Sequence, residues 1–233
     1  MAGMDGLLVV DKPTGWSSMD VVRRVRAMAA RTAGRRVKTG HAGTLDPLAT
    51  GVVVCCLGRA TRCVERIMGE PKAYDAAVDL SAFTATDDRE GEPEPVPVST
   101  PPTREQVERA CVQFVGPIQQ TPPAYSAMHV GGRRAYKLAR AGETVKLEPR
   151  TVHVYGIELL DYAWPTASLR VRCGRGTYIR SLARDLGVAL CTGGHLAALR
   201  RTAVGPYTLD QSMTVERCAE GITETDLLPM PGV

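Results

Sequence analysis

The chain has 233 residues, 44% of them hydrophobic and only 5% aromatic, with a net charge of +4 and a pI near 8.7. That length suffices for a sizeable, mainly aliphatic core. No stretch approaches the roughly 18 consecutive apolar residues of a membrane span, and Met1-Ala2-Gly3-Met4-Asp5-Gly6 lacks the basic start of a signal peptide. These features exclude a helical membrane protein and lead us to expect a cytoplasmic one with no membrane partner.

The first strand expected is Leu7-Leu8-Val9-Val10, ended by the turn residues Asp11-Lys12-Pro13-Thr14-Gly15. Ser17 or Ser18 can cap a helix with Val21, Val25, Met28 and Ala29 on one face and arginines on the other, ending at Gly34. His41–Gly51 follows as a Gly/Pro-bounded loop carrying Asp46, and it runs into the apolar strand Val52–Leu57. Thr61–Met68 reads as helical. In Lys72–Leu80, Tyr74, Ala76, Val78 and Leu80 alternate with more polar neighbours, the pattern of a half-buried strand.

Residues 84–102 are polar and hold five prolines, so an exposed loop is expected. Thr103 and Gln106 form a capping box ahead of Val107, Ala110, Cys111 and Phe114 at helical spacing. The stretch 117–150 reads as a long insertion loop, and long ordered loops are usually functional. Strands Val152–Leu160 and Ala167–Cys173, a helix through Leu182, Ala183, Leu186, Ala189 and Leu190, and a last stretch His195–Tyr207 complete the chain. Strands adjacent in sequence without intervening helices predict an α+β fold around a mainly antiparallel sheet flanked by helices. We expect one domain over 1–233.

Basic residues fall in three groups: Arg23 to Lys38, Arg133 to Arg140, and Arg170 to Arg201. Acid concentrates in Asp87–Glu94. This separation fits a polyanion-binding face with an acidic loop elsewhere, although charge alone fits solvated helix faces as well. The seven cysteines form no C-x-x-C pair, and His41, His129, His153 and His195 show no ligand spacing, so no metal is expected. His153 alternates within a strand and reads as structural. Gly174-Arg175-Gly176 has Ile179 where a dinucleotide fingerprint needs its third glycine. There is no Walker A sequence and no G-x-S-x-G elbow.

Taken singly, Asp46 fits a turn, Arg180 a surface arginine and Tyr74 a core aromatic. Taken together they suggest more. A carboxylate, an arginine to keep it ionised, an aromatic to stack on a base and basic strips for phosphates suit a nucleotide extruded from RNA.

Five motifs then carry a resemblance. Asp11-Lys12-Pro13-x-Gly15-x-Ser17-Ser18, His41-x-Gly43-x-Leu45-Asp46-Pro47-x-Ala49-x-Gly51, Lys72-x-Tyr74, Gly176-Thr177-Tyr178-Ile179-Arg180 and Leu199-Arg200-Arg201 occur in that order. From about Gly6 to about Asp210 the sequence resembles the TruB family of pseudouridine synthases, which convert uridine 55 in the T-arm of tRNA to pseudouridine. The resemblance implies the pseudouridine synthase fold, with Asp46 as the nucleophile that attacks C6 of the base or C1′ of the sugar. Tyr74 would stack on the flipped base and help remove the C5 proton, and Arg180 would pair with Asp46. His41, Gly43, Tyr178 and Leu199 would contact or surround the substrate, and Lys12 would support the catalytic loop.

The resemblance further implies that Tyr125, Arg133, Arg134 and Tyr136, within the insertion 117–150, clamp the T-stem-loop. No metal or organic cofactor is implied. As the sequence ends at Val233, we expect no C-terminal PUA domain of the kind many relatives carry, whether the short form is natural or a truncation, and we expect a monomer acting on tRNA without a guide RNA. A guide-RNA-dependent enzyme and a non-catalytic tRNA-binding or folding protein remain as alternatives.

Overall fold

The computed structural model describes residues 4–126, 129–130, 133–134 and 147–232. In chain order the elements are β1 (Gly6–Lys12), α1 (Ser18–Ala33), β2 (Thr39–His41), β3 (Thr50–Leu57), α2 (Val64–Gly69), β4 (Lys72–Asp79), β5 (Ala82–Thr84), β6 (Pro93–Pro95), α3 (Arg104–Val112) and β7 (Gly116–Gln120). They continue with β8 (His129–Val130), β9 (Arg133–Arg134), β10 (Arg150–Ala163), β11 (Thr166–Cys173), α4 (Ile179–Ala189), β12 (His195–Val204), β13 (Tyr207–Thr208), β14 (Met213–Thr214) and α5 (Val215–Glu220). Among the described residues no helix is long and apolar enough to cross a membrane. The fold is α+β, with a mixed, mainly antiparallel sheet. It divides into two compact units, Met1–Tyr74 with Leu199–Val233, and Asp75–Ala198.

In the first unit β1 pairs antiparallel with β3 along its whole length and parallel with β14, while β12 runs parallel to β3 at Arg200–Thr50 and Arg201–Gly51. Both β1 and β3 are apolar at successive positions because both faces are covered. One face holds Leu7, Val9, Val52, Val54 and Cys56 in a cluster with Ile67, Val204 and Tyr207. Helix α1 packs on β2, β3 and α5. It starts where a capping box forms, Ser17 accepting from the Asp20 amide while the Asp20 carboxylate accepts from the Ser17 amide, and it ends at Gly34 in the left-handed region.

In the second unit β10 and β11 form a long hairpin and β7 adds to the free edge of β10. In β11, Ala167, Leu169, Val171 and Cys173 are buried while Arg170 and Arg172 are exposed, as the alternation predicts. His153, expected to be structural, sits on the outward face of β10 with its ring 5.2 Å from that of Tyr155. The insertion expected over 117–150 is not all loop. Its first residues are strand β7, and Gln120 is buried.

Candidate active site

Asp46 lies on the loop between β2 and β3, and nearly every turn of that loop is held from outside. Lys12, wholly buried at the end of β1, donates its ammonium to the carbonyls of Trp16 (2.7 Å), Pro13 (2.9 Å) and Pro47 (3.3 Å). The Ser18 hydroxyl accepts from the Leu45 amide at 2.8 Å, and the Gly15 amide donates to Pro47 O at 2.8 Å. Arg201, 1% exposed in β12, donates to Val52 O at 2.7 Å, Gly43 O at 3.1 Å and Thr44 O at 3.2 Å. Residues on both sides of Asp46 are thus fixed by backbone bonds. Asp46 itself is half-buried.

Burial pushes the Lys12 ammonium down to about 8, with the Asp46 carboxylate opposing that shift and Arg201 reinforcing it. His41, in β2 opposite Cys55, is lowered by burial and by the charge of Arg201, with the Gly43 backbone opposing the shift. Its Nδ1 is buried. Gly51 shows why a glycine stands after this loop: φ is +104°, and a Cβ there would lie 2.2 Å from Arg201 O. Tyr74 in β4 and Leu199 in β12 are both buried. Lys12, His41, Gly43, Asp46, Tyr74 and Leu199 all belong to the first unit.

The second unit holds Tyr178 and Arg180 at the start of α4. No side chain of its own caps this helix. Gln120 does so instead: its carboxamide oxygen accepts from the Tyr178 amide at 2.8 Å and its nitrogen donates to Tyr178 O at 3.1 Å. The Arg150 guanidinium sits 5.2 Å from the Tyr178 ring centroid and donates to Gly176 O. Arg180, 5% exposed, donates to Thr86 O and Tyr125 O at 3.1 Å each, and its guanidinium lies 3.4 Å from an Asp88 carboxylate oxygen. Asp88 in turn accepts from the Thr86 hydroxyl at 2.6 Å and the Glu90 amide at 3.0 Å.

Two sequence expectations change here. The stretch 84–102 is not simply an exposed acidic loop, because Asp87 and Asp88 are buried against Arg184 and Arg180. The third arginine group is also less of a polyanion face than expected. Arg180 and Arg201 are buried, and Arg170 and Arg200 pair with Asp75 and Asp11. Sequence reading missed Asp88, Gln120 and Arg201 as site-building residues. Only Arg201 left a signal, its place beside Leu199 in a motif.

Tyr125 contributes its carbonyl to Arg180, and Arg133–Arg134 form a two-residue strand paired with His129–Val130. Tyr136 lies outside the described residues.

Comparison with known proteins completes the picture. The family model described as TruB family pseudouridylate synthase, N-terminal domain, matches residues 30–179, and that of the tRNA pseudouridylate synthase B C-terminal domain matches 180–227. A protein named tRNA pseudouridine synthase B from Arthrobacter sp. (strain FB24) is 48% identical over 97% of this chain and 74% of its own. One of the same name from Bacteroides fragilis is 46% identical over 95% of each. Among solved structures, a chain of a Cbf5-Nop10-Gar1 complex is 29% identical with a TM-score of 0.71, covering 97% of this chain and 60% of that one. A chain of the archaeal box H/ACA sRNP Nop10-Cbf5 complex is also 29% identical, with a TM-score of 0.65 over 93% of this chain and 53% of that one. By motifs, sequence and fold alike, the chain belongs to the TruB family of pseudouridylate synthases and is an isomerase.

Proposed function

We propose that this protein converts uridine 55 in the T-arm of tRNA to pseudouridine, without a guide RNA, on a nucleotide flipped out of the loop. The observation that carries the reading is the clamped loop around Asp46, whose flanking carbonyls and amides are bonded to Lys12, Ser18 and Arg201. A nucleophile must be held at its attacking position before substrate arrives, and fixed backbone on both sides does this. The name shared by the Arthrobacter and Bacteroides relatives supports tRNA as substrate.

In this reading the Asp46 carboxylate attacks C6 of the base or C1′ of the sugar and the N1–C1′ bond breaks. The base turns, a C5–C1′ bond forms, the Asp46 carboxylate leaves C6 or is displaced from C1′, the C5 proton is lost and N1 takes up a proton, so the overall change is an isomerisation. Tyr74 stacks on the base and helps remove the C5 proton, while Arg180 pairs with Asp46. Tyr178 and Leu199 pack around the flipped base. His41 acts as a substrate-side contact, and Gly43 lets RNA approach the backbone. Tyr125, Arg133, Arg134 and Tyr136 grip the stem-loop. No step needs a metal or organic cofactor.

The test is to incubate the protein with an unmodified T-arm stem-loop and map pseudouridine. Conversion of one loop uridine with no other RNA present is expected. Conversion that requires a guide RNA, or binding with no conversion, would overturn the reading.

A further inference from the structure

We propose that Arg184 is a positioning residue for Arg180, acting through an ion pair with Asp87 that fixes the two chain segments on which Arg180 closes. The proposal rests on the reading of Arg180 as part of the RNA-modifying site. Arg180 is bonded to one segment through Thr86 O and Asp88 and to another through Tyr125 O. Arg184 stands one helical turn further along α4, at the spacing that puts two side chains on one face. It reaches the same two segments, through Asp87 Oδ2 at 2.7 Å and Thr121 O at 3.1 Å. The Ser181 hydroxyl adds a second bond to Thr121 O at 2.8 Å.

The turn at Asp87 needs such a hold. Its φ is +59°, a left-handed conformation that non-glycine residues seldom adopt. It is kept there by Asp87 O accepting from the Leu196 amide at 3.0 Å and by its carboxylate on Arg184. Asp88, the next residue, faces Arg180 from this turn. Burial raises the Asp87 carboxyl, and the charges of Arg184 and Arg180 oppose that shift. Arg184 also holds Asp185 at 2.9 Å, but that bond stays within the helix and reaches neither segment. A merely structural ion pair would alter stability and leave Arg180 where it is. The two roles are therefore separable.

The experiment compares Arg184→Gln, Asp87→Asn and the double variant, asparagine being chosen because it tolerates the left-handed region. Each single variant is expected to lower kcat about tenfold to a hundredfold with KM for the stem-loop unchanged, as small misplacements do. The double variant should be no slower than the slower single one, because both changes cut one link. Arg184→Lys, which keeps the charge, should recover part of the rate, and it carries the test if the glutamine variant does not fold. The second readout needs no turnover: the guanidinium Nε signal of Arg180, assigned with Arg180→Lys, should shift or broaden in the variants. Unchanged kcat in the folded variants, additive losses, or an Arg180 signal that stays in place would overturn the proposal. Absence of pseudouridine with the unaltered protein would instead defeat the functional reading, and the Arg180 signal would still decide the role of Arg184.

Discussion

Lys12 shows how much one side chain can be asked to do. Its ammonium is buried yet spends its protons on three carbonyls, one of them in the peptide next to Asp46. Because its pKa falls from the usual 10.5 to about 8, the unfolded chain holds more protons at this residue than the folded protein between those values. Its contribution to stability therefore rises with pH across that window. The stability of the unaltered protein minus that of Lys12→Met is expected to grow from pH 8 toward 10.5, measured by urea titration at each pH. A flat or falling difference would contradict a buried ammonium. For Asp46→Asn we expect loss of pseudouridine formation with T-arm binding retained, read by pseudouridine mapping beside a filter-binding assay. At this scale Asp46 was legible because its motif is local and Gly/Pro-bounded. Arg201 and Asp88 were not, since a buried charge looks like a surface one until its partners, distant in sequence, are known.

Among the elements, the strands with a clear period of two were readable, as β4 and β11 illustrate. Strand β7 was hidden by Pro117 and the polar pair Gln119-Gln120, which look like loop until β10 offers them an edge. Strands β2, β13 and β14, of two or three residues, are too short to carry any period. The hidden strand has a consequence for α4, because Gln120 completes the end of that helix. Gln120→Ala is expected to cost about 1–3 kcal/mol by leaving the Tyr178 amide without this partner, while Tyr178 O keeps the Leu182 amide. Differential denaturation would measure it, and a neutral result would mean that water replaces the cap. At β3, Gly51→Ala should destabilise the first unit by about 2 kcal/mol or more, given its positive φ and the Arg201 carbonyl in the way. Unchanged stability would show that the β3–β12 register relaxes.

For the molecule as a whole, net charge matters less than which charges are left exposed. With Arg180 and Arg201 buried and Arg170 and Arg200 in ion pairs, the exposed Arg35 and Arg36 beyond α1 are better placed to meet phosphates. Binding of the stem-loop should weaken with salt, log K falling by about 0.7–0.9 per log unit of salt for each phosphate neutralised. Replacing Arg35 and Arg36 together by glutamate is expected to reduce that slope without moving the urea midpoint. The order of the chain adds a temporal consequence. Residues 75–198 form their unit from one uninterrupted stretch, whereas β1 needs β14 beside it, and Leu7 exchanges both backbone bonds with Leu228. At typical translation speeds β1 waits roughly ten to forty seconds for β14 to emerge. The second unit can therefore mature during synthesis while the first, which carries Asp46, is completed only after Leu228 has emerged.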